Sequence, residues 1–164
     1  MSAPKMIEPA TVLPRNTWQA ALCETAIEVF SIMVGADLTP AANDSPSHAP
    51  EVTGVVGIAG EIRAILTLQC SSASSLKIAS NMLGITPDDP ESEKAACDAL
   101  GEVCNIIAGY FKARVGLGDK CMLSIPTIIM GKDYQFHSGK AYERLEFPLL
   151  FEGETVQLSL EIAQ

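Results

Sequence analysis

The last run of the chain, ETVQLSLEIA at 154–163, alternates without a break. Val156, Leu158, Leu160 and Ile162 fall on one side, and Thr155, Gln157, Ser159 and Glu161 on the other. Successive side chains of a β-strand leave it on opposite faces, so this period of two reads as an antiparallel strand with one covered face. Such a strand cannot stand alone. Its backbone N–H and C=O groups need partners, and its apolar face needs a cover. The rest of the chain must therefore supply a sheet and an apolar layer to lay on it.

Residues 52–70, VTGVVGIAGEIRAILTLQC, hold two β-rich runs around Gly60-Glu61 and read as a hairpin with a glycine-led turn. Further strand-like runs are CMLSIPTIIM, YQFHS and KAYERLEFPLLF, set apart by turns at Gly131, Gly139 and Gly153. A strand as regular as 154–163 would also invite pairing along any edge left exposed.

The cover comes from three helical stretches. TWQAALCETAIEVFSIMVG is amphipathic: Leu22, Ile27 or Ala26, Phe30 and Met33 share a face, Asn16-x-x-Gln19 reads as a capping box, and Gly35 ends it. TPAANDSPSHAP, residues 39–50, is a loop by composition. SSASSLKIASNMLG begins with serine caps and ends on Gly84. The third helix runs from Pro90 to Val115, with Asp89 as the expected N-cap and Gly116 and Gly118 closing it. The order of helix, hairpin, two helices and meander predicts an α+β fold, with helices packed on one face of an antiparallel sheet. The 164 residues suit a single domain over 1–164.

Charge and ligand chemistry narrow the function. Twenty acidic residues against eleven basic ones give a formal net charge of −9, with no basic cluster. Nucleic acid and anionic membrane surfaces are therefore not expected partners. No apolar run is long enough to span a bilayer and no targeting segment is evident, so the expected location is the cytoplasm. The five cysteines form no Cys-x-x-Cys pair, and His48 and His137 stand isolated; no metal site is expected.

The third helix holds the one feature that patterning leaves unexplained. DALGEVCNIIAGYF, residues 98–111, carries Asp98, Glu102 and Asn105 at spacings of four and three. At about 100° per residue, Asp98 lies about 40° and Asn105 about 60° to one side of Glu102. Gly101, Gly109 and Lys112 fall on that side too, while Leu100, Val103, Cys104, Ile107 and Phe111 occupy the opposite arc and should face the sheet. A helix-interior glycine costs about 0.5–1 kcal/mol relative to alanine. Two of them beside the carboxylates suggest a solvent-side surface that another molecule approaches closely. The plainer reading is a solvated face, since any such stripe has members at these spacings.

Asp98-x-x-x-Glu102-x-x-Asn105, followed by Pro126, resembles the signature of the CheC/CheX/FliY phosphatases of bacterial chemotaxis. EVCNIIAGYFK is similar to that family's helix, including the small residues after the Asn, although the twenty residues between Asn105 and Pro126 are slightly fewer than usual. AIEVFSIMVGADLTP, GVVGIAGEIRAILTLQC and LKIASNMLG resemble the first helix, hairpin and second helix of the CheX branch. The CheC branch has a second dyad on the first helix. Here the register reads Ala20-x-x-x-Glu24-x-x-Ile27, and an isoleucine cannot orient water.

The resemblance implies a CheX-like phosphatase acting on the phosphoaspartyl group of a CheY-like receiver, with no cofactor of its own and Mg²⁺ supplied by that partner. It assigns Asn105 to orienting the attacking water and Glu102 to the lysine of the receiver site. Asp98, Gly101, Gly109 and Lys112 would then lie in the partner-binding surface. It also implies a homodimer joined at sheet edges. The alternative is a non-catalytic receiver-binding or flagellar adaptor of the same fold.

Overall fold

The computed structural model describes residues 10–42, 49–132, 134, 139 and 142–164; His48, His137 and most of the YQFHS run lie outside them. Helix α1 (Trp18–Val29) passes into a π-helical turn (Phe30–Val34); α2 spans Ser72–Leu83 and α3 spans Ser92–Arg114. The strands are β1 (Leu38–Pro40), β2 (Val52–Gly60), β3 (Arg63–Cys70), β4 (Cys121–Leu123), β5 (Thr127–Met130), β6 (Tyr142–Phe151) and β7 (Glu154–Ala163). They form one antiparallel sheet in the order β1-β6-β7-β3-β2-β4, with β5 also on β2. This is the α+β arrangement expected from the patterning.

The apolar sides of the strands meet in register. Val56 faces Leu66, Leu66 faces Leu160 and Leu68 faces Leu158, all buried. Helix α3 lies across this side. Its Leu100, Val103, Cys104, Ile107 and Phe111 are all fully buried, as the helical period predicts. Gly54 of β2 lets α3 come this close, because a Cβ there would collide with Cys104 Sγ. Trp18 packs edge-on against Phe111, joining α1 to α3.

Several local expectations need correction. Strand β7 is interior, between β6 and β3, so it offers no edge. Its polar side is buried at Ser159, which shares a 2.5 Å hydrogen bond with Thr67, and at Glu161, which pairs with Arg144 at 3.1 Å, while Thr155 and Gln157 are half-buried. The Asn16–Gln19 box does not form. Residues 15–17 make a 3-10 turn instead, with the Thr17 hydroxyl donating to Pro14 O. The π turn adds a residue to the end of α1, so Val34 rather than Met33 is buried before Gly35 takes its left-handed φ of 65°. Thr39 and Pro40, read as the start of a loop, belong to a short strand, Leu38–Pro40, on β6. Asp89 accepts a hydrogen bond from Glu91 N in the turn before α3 instead of serving as its N-cap.

Candidate functional site

Helix α3 is 23 residues long, about 34 Å at 1.5 Å per residue. One flank packs on α1, where Arg114 pairs with Glu24 and Glu28 at 3.7 and 2.5 Å. The other flank is covered by the β4–β5 segment. Leu123 sits beside Gly109, Pro126 and Ile128 beside Gly101, and Met130 Sδ lies 3.4 Å from Cys97 Sγ. Between the two flanks runs an open ridge carrying Asp98, Glu102 and Asn105.

The three polar residues of the ridge are not equivalent. Asp98 is exposed and accepts a 3.0 Å salt bridge from Lys94, one turn earlier. Glu102 is exposed and Asn105 half-buried, and among the described residues neither side chain has a hydrogen-bonding or ionic partner. A carboxylate and a primary amide one turn apart, both unengaged, offer an anionic acceptor beside a group that donates and accepts at once.

The glycines behave differently from expectation. Gly101 is buried, not solvent-facing. A Cβ placed there would lie 3.3 Å from Pro126 Cβ and 3.7 Å from Ile128 Cδ1. The absent side chain lets the β4–β5 segment close on the helix, so Gly101 cannot itself touch a partner. Gly109 is half-buried, with Leu123 Cδ1 at 3.8 Å from a Cβ position, an ordinary contact. Lys112 is also engaged. Its ammonium donates to Gly118 O and, at 2.6 Å, to Cys121 O. It ties the end of α3 to the entry of β4 and is not free for a partner.

Pro126 was the part of the pattern whose role spacing left open. Its ring rests on the backbone of Gly101, one residue from Glu102. A helical wheel cannot show this neighbour, because Pro126 lies twenty-one residues beyond Asn105 in sequence. The corner before it is fixed: Ser124 N donates to Gly57 O at 2.9 Å, and Gly57 N donates to Ser124 Oγ at 2.8 Å.

The thiols contribute no nucleophile to the ridge. Burial pushes Cys70 up to about 12 and raises Cys104 further, while Cys97 is raised by partial burial and then by Glu93 and Asp98. Among the described residues no group of three or more His, Cys, Asp or Glu could hold a metal ion. No helix among them is long and apolar enough to cross a membrane.

Comparison with known proteins places the fold. The family model "Chemotaxis phosphatase CheX" matches residues 52–150. The CheY-P phosphatase CheX of Thermotoga maritima is 27% identical over 122 residues, 72% of this chain and 78% of that protein. A chemotaxis protein CheX from Desulfovibrio desulfuricans superposes with a TM-score of 0.76 at 19% identity, covering 89% of this chain and 99% of that one. The CheX of the Borrelia burgdorferi CheX–CheY–BeF3–Mg²⁺ complex superposes with a TM-score of 0.75 at 23% identity, covering 90% and 98%. At these identities the two structures speak for the fold.

Proposed function

The chain belongs to the CheX family of chemotaxis phosphatases, and from that membership we propose that it hydrolyses the phosphoaspartyl group of a CheY-like response regulator in chemotaxis or another two-component pathway. The observation that carries the reading is the unengaged pair Glu102 and Asn105 on an open ridge whose neighbouring acid, Asp98, already has a cation.

An acyl phosphate is a reactive substrate with a good leaving group. Water oxygen bonds to phosphorus, the bond from phosphorus to the aspartate oxygen breaks, and inorganic phosphate and a free carboxylate result. The receiver's own Mg²⁺ neutralises the phosphoryl oxygens. What remains is holding the water in line. The Asn105 carbonyl accepts a hydrogen bond from it and the amide NH₂ donates one, with no titratable proton needed. Glu102 pairs with a lysine at the receiver site and fixes the helix in the cleft. The Borrelia complex of a relative with CheY and Mg²⁺ supports this choice of partner and metal source.

The protein is placed in the cytoplasm, where such a partner would be. A homodimer joined at sheet edges belongs to the same reading. Strand β1 covers only Leu149–Phe151 of β6, so among the described residues Tyr142–Phe147 is the open edge of the sheet on that side. A monomeric mass by light scattering at micromolar concentration would exclude a tight dimer.

The test is phosphate release from a phosphorylated CheY-type receiver, with and without the protein. Accelerated release supports the enzyme. Binding without acceleration replaces it with the adaptor of the same fold.

A further inference from the structure

We propose that Ile125 is an apolar anchor that seats the phosphorylated receiver against Glu102 and Asn105. The inference rests on the phosphatase reading above and names the surface that gives it a protein substrate.

Ile125 is 85% exposed, the highest value among the exposed large apolar residues described. Such exposure in a slack loop would mean little, but this corner is fixed on both sides. Ser124 exchanges two hydrogen bonds with Gly57, its hydroxyl also donates to Ile125 O at 3.0 Å, and Pro126 rests on Gly101. The backbone that presents the side chain is therefore already ordered, and little of its freedom remains to be lost on binding.

Its position follows from the flanking contacts. Leu123 lies at Gly109 and Pro126 at Gly101. Ile125 falls between them, along the turns of α3 that carry Glu102 and Asn105. On the opposite flank Tyr110, 52% exposed, lies about 80° around the helix from Glu102. The unengaged carboxylate and amide thus sit between two exposed apolar side chains.

This arrangement selects the occupant. The pair stands on a convex helix ridge, where a small acyl phosphate would stay largely in water. A protein domain can bring an amine to Glu102, a phosphorylated carboxylate to Asn105 and an apolar depression to Ile125 in one contact. Covering both apolar flanks also removes bulk water around the reacting group. A preordered apolar side chain that is fully desolvated on docking can carry a large share of the binding energy.

Ile125→Ser tests the anchor, and Leu83→Ser, 56% exposed at the far end of α2, is the control. Both should melt at the wild-type temperature. For the receiver that the wild type dephosphorylates, Ile125→Ser should raise Kd and KM about tenfold while kcat at saturation stays within about twofold. Leu83→Ser should change none of these. Wild-type protein should not accelerate hydrolysis of acetyl phosphate. Unchanged Kd in Ile125→Ser, or acceleration of acetyl phosphate hydrolysis, overturns the anchor. If the wild type binds the receiver but releases no phosphate, the phosphatase reading fails while the Kd comparison still decides the anchor.

Discussion

Helices α1 and α3 carry related registers, and their outward faces have opposite fates. On α1, Glu24 and its neighbour Glu28 are both claimed by Arg114, and Ile27 turns partly into the core. On α3, Glu102 and Asn105 have no partner among the described residues, although Lys94 stands close enough to engage Asp98. A carboxylate on a helix face is common. What separates the two faces is whether the fold has already used the hydrogen-bonding and ionic capacity of the side chains. Exposed ion pairs add only about 0–1 kcal/mol, so leaving Glu102 without one costs little stability while keeping it open to an incoming cation.

The strongest attack on this contrast is Asn105→Ala. If α3 is the reactive face, phosphate release should fall about 100-fold or more, with receiver affinity nearly unchanged, because the amide acts on the water in the transition state. A wild-type rate in that variant would make the α3 stripe no more than a solvated surface, like that of α1.

Gly101→Leu comes next. Its side chain must enter the space that Pro126 fills at 3.3 Å from a Cβ. Chemical denaturation should show a loss of about 1–3 kcal/mol, the usual cost of overpacking, despite better helix propensity. Unchanged stability would mean that the β4–β5 segment yields freely and does not frame the ridge.

Glu102→Ala should weaken receiver binding about tenfold, as expected for one lost charge-assisted contact, and move stability by no more than about 0.5 kcal/mol. Equal affinity by titration would leave Glu102 no more important than Glu24. The smallest effect belongs to Arg114→Ala. It frees Glu24 and Glu28 at a cost of at most about 1 kcal/mol, smaller still at roughly 1 M salt, and should leave phosphate release alone. A large loss of activity would mean that α1 participates after all.

Much of this was legible in the sequence. The apolar arc of α3, the caps at Ser71 and Gly84 and the hairpin about Gly60 all follow from local periods and turn chemistry, which short windows record. The burial of Gly101 and the tether of Lys112 did not, because each depends on β4 and β5 arriving from later in the chain. A helical wheel gives the angle of a residue but not what lies at that angle. The π turn that buries Val34 instead of Met33 was hidden for a related reason: it changes the helical step itself, which the wheel assumes constant.

The Ser124–Gly57 contact joins residues 67 positions apart, and this separation bears on how the chain becomes active. Helix α3 is stabilised by bonds between near neighbours and can form early. The corner that frames its ridge must wait for a long chain closure, which is the slow kind of event in folding. The helix that carries Glu102 and Asn105 should therefore exist before the corner that frames them. In pulse-labelled refolding, amides of α3 should gain protection ahead of those of Gly57 and Ser124, and simultaneous protection would contradict that order. A chain caught between the two stages would hold Asn105 on a formed helix without the corner beside it, so the framed ridge would be complete only once β4 and β5 close on β2.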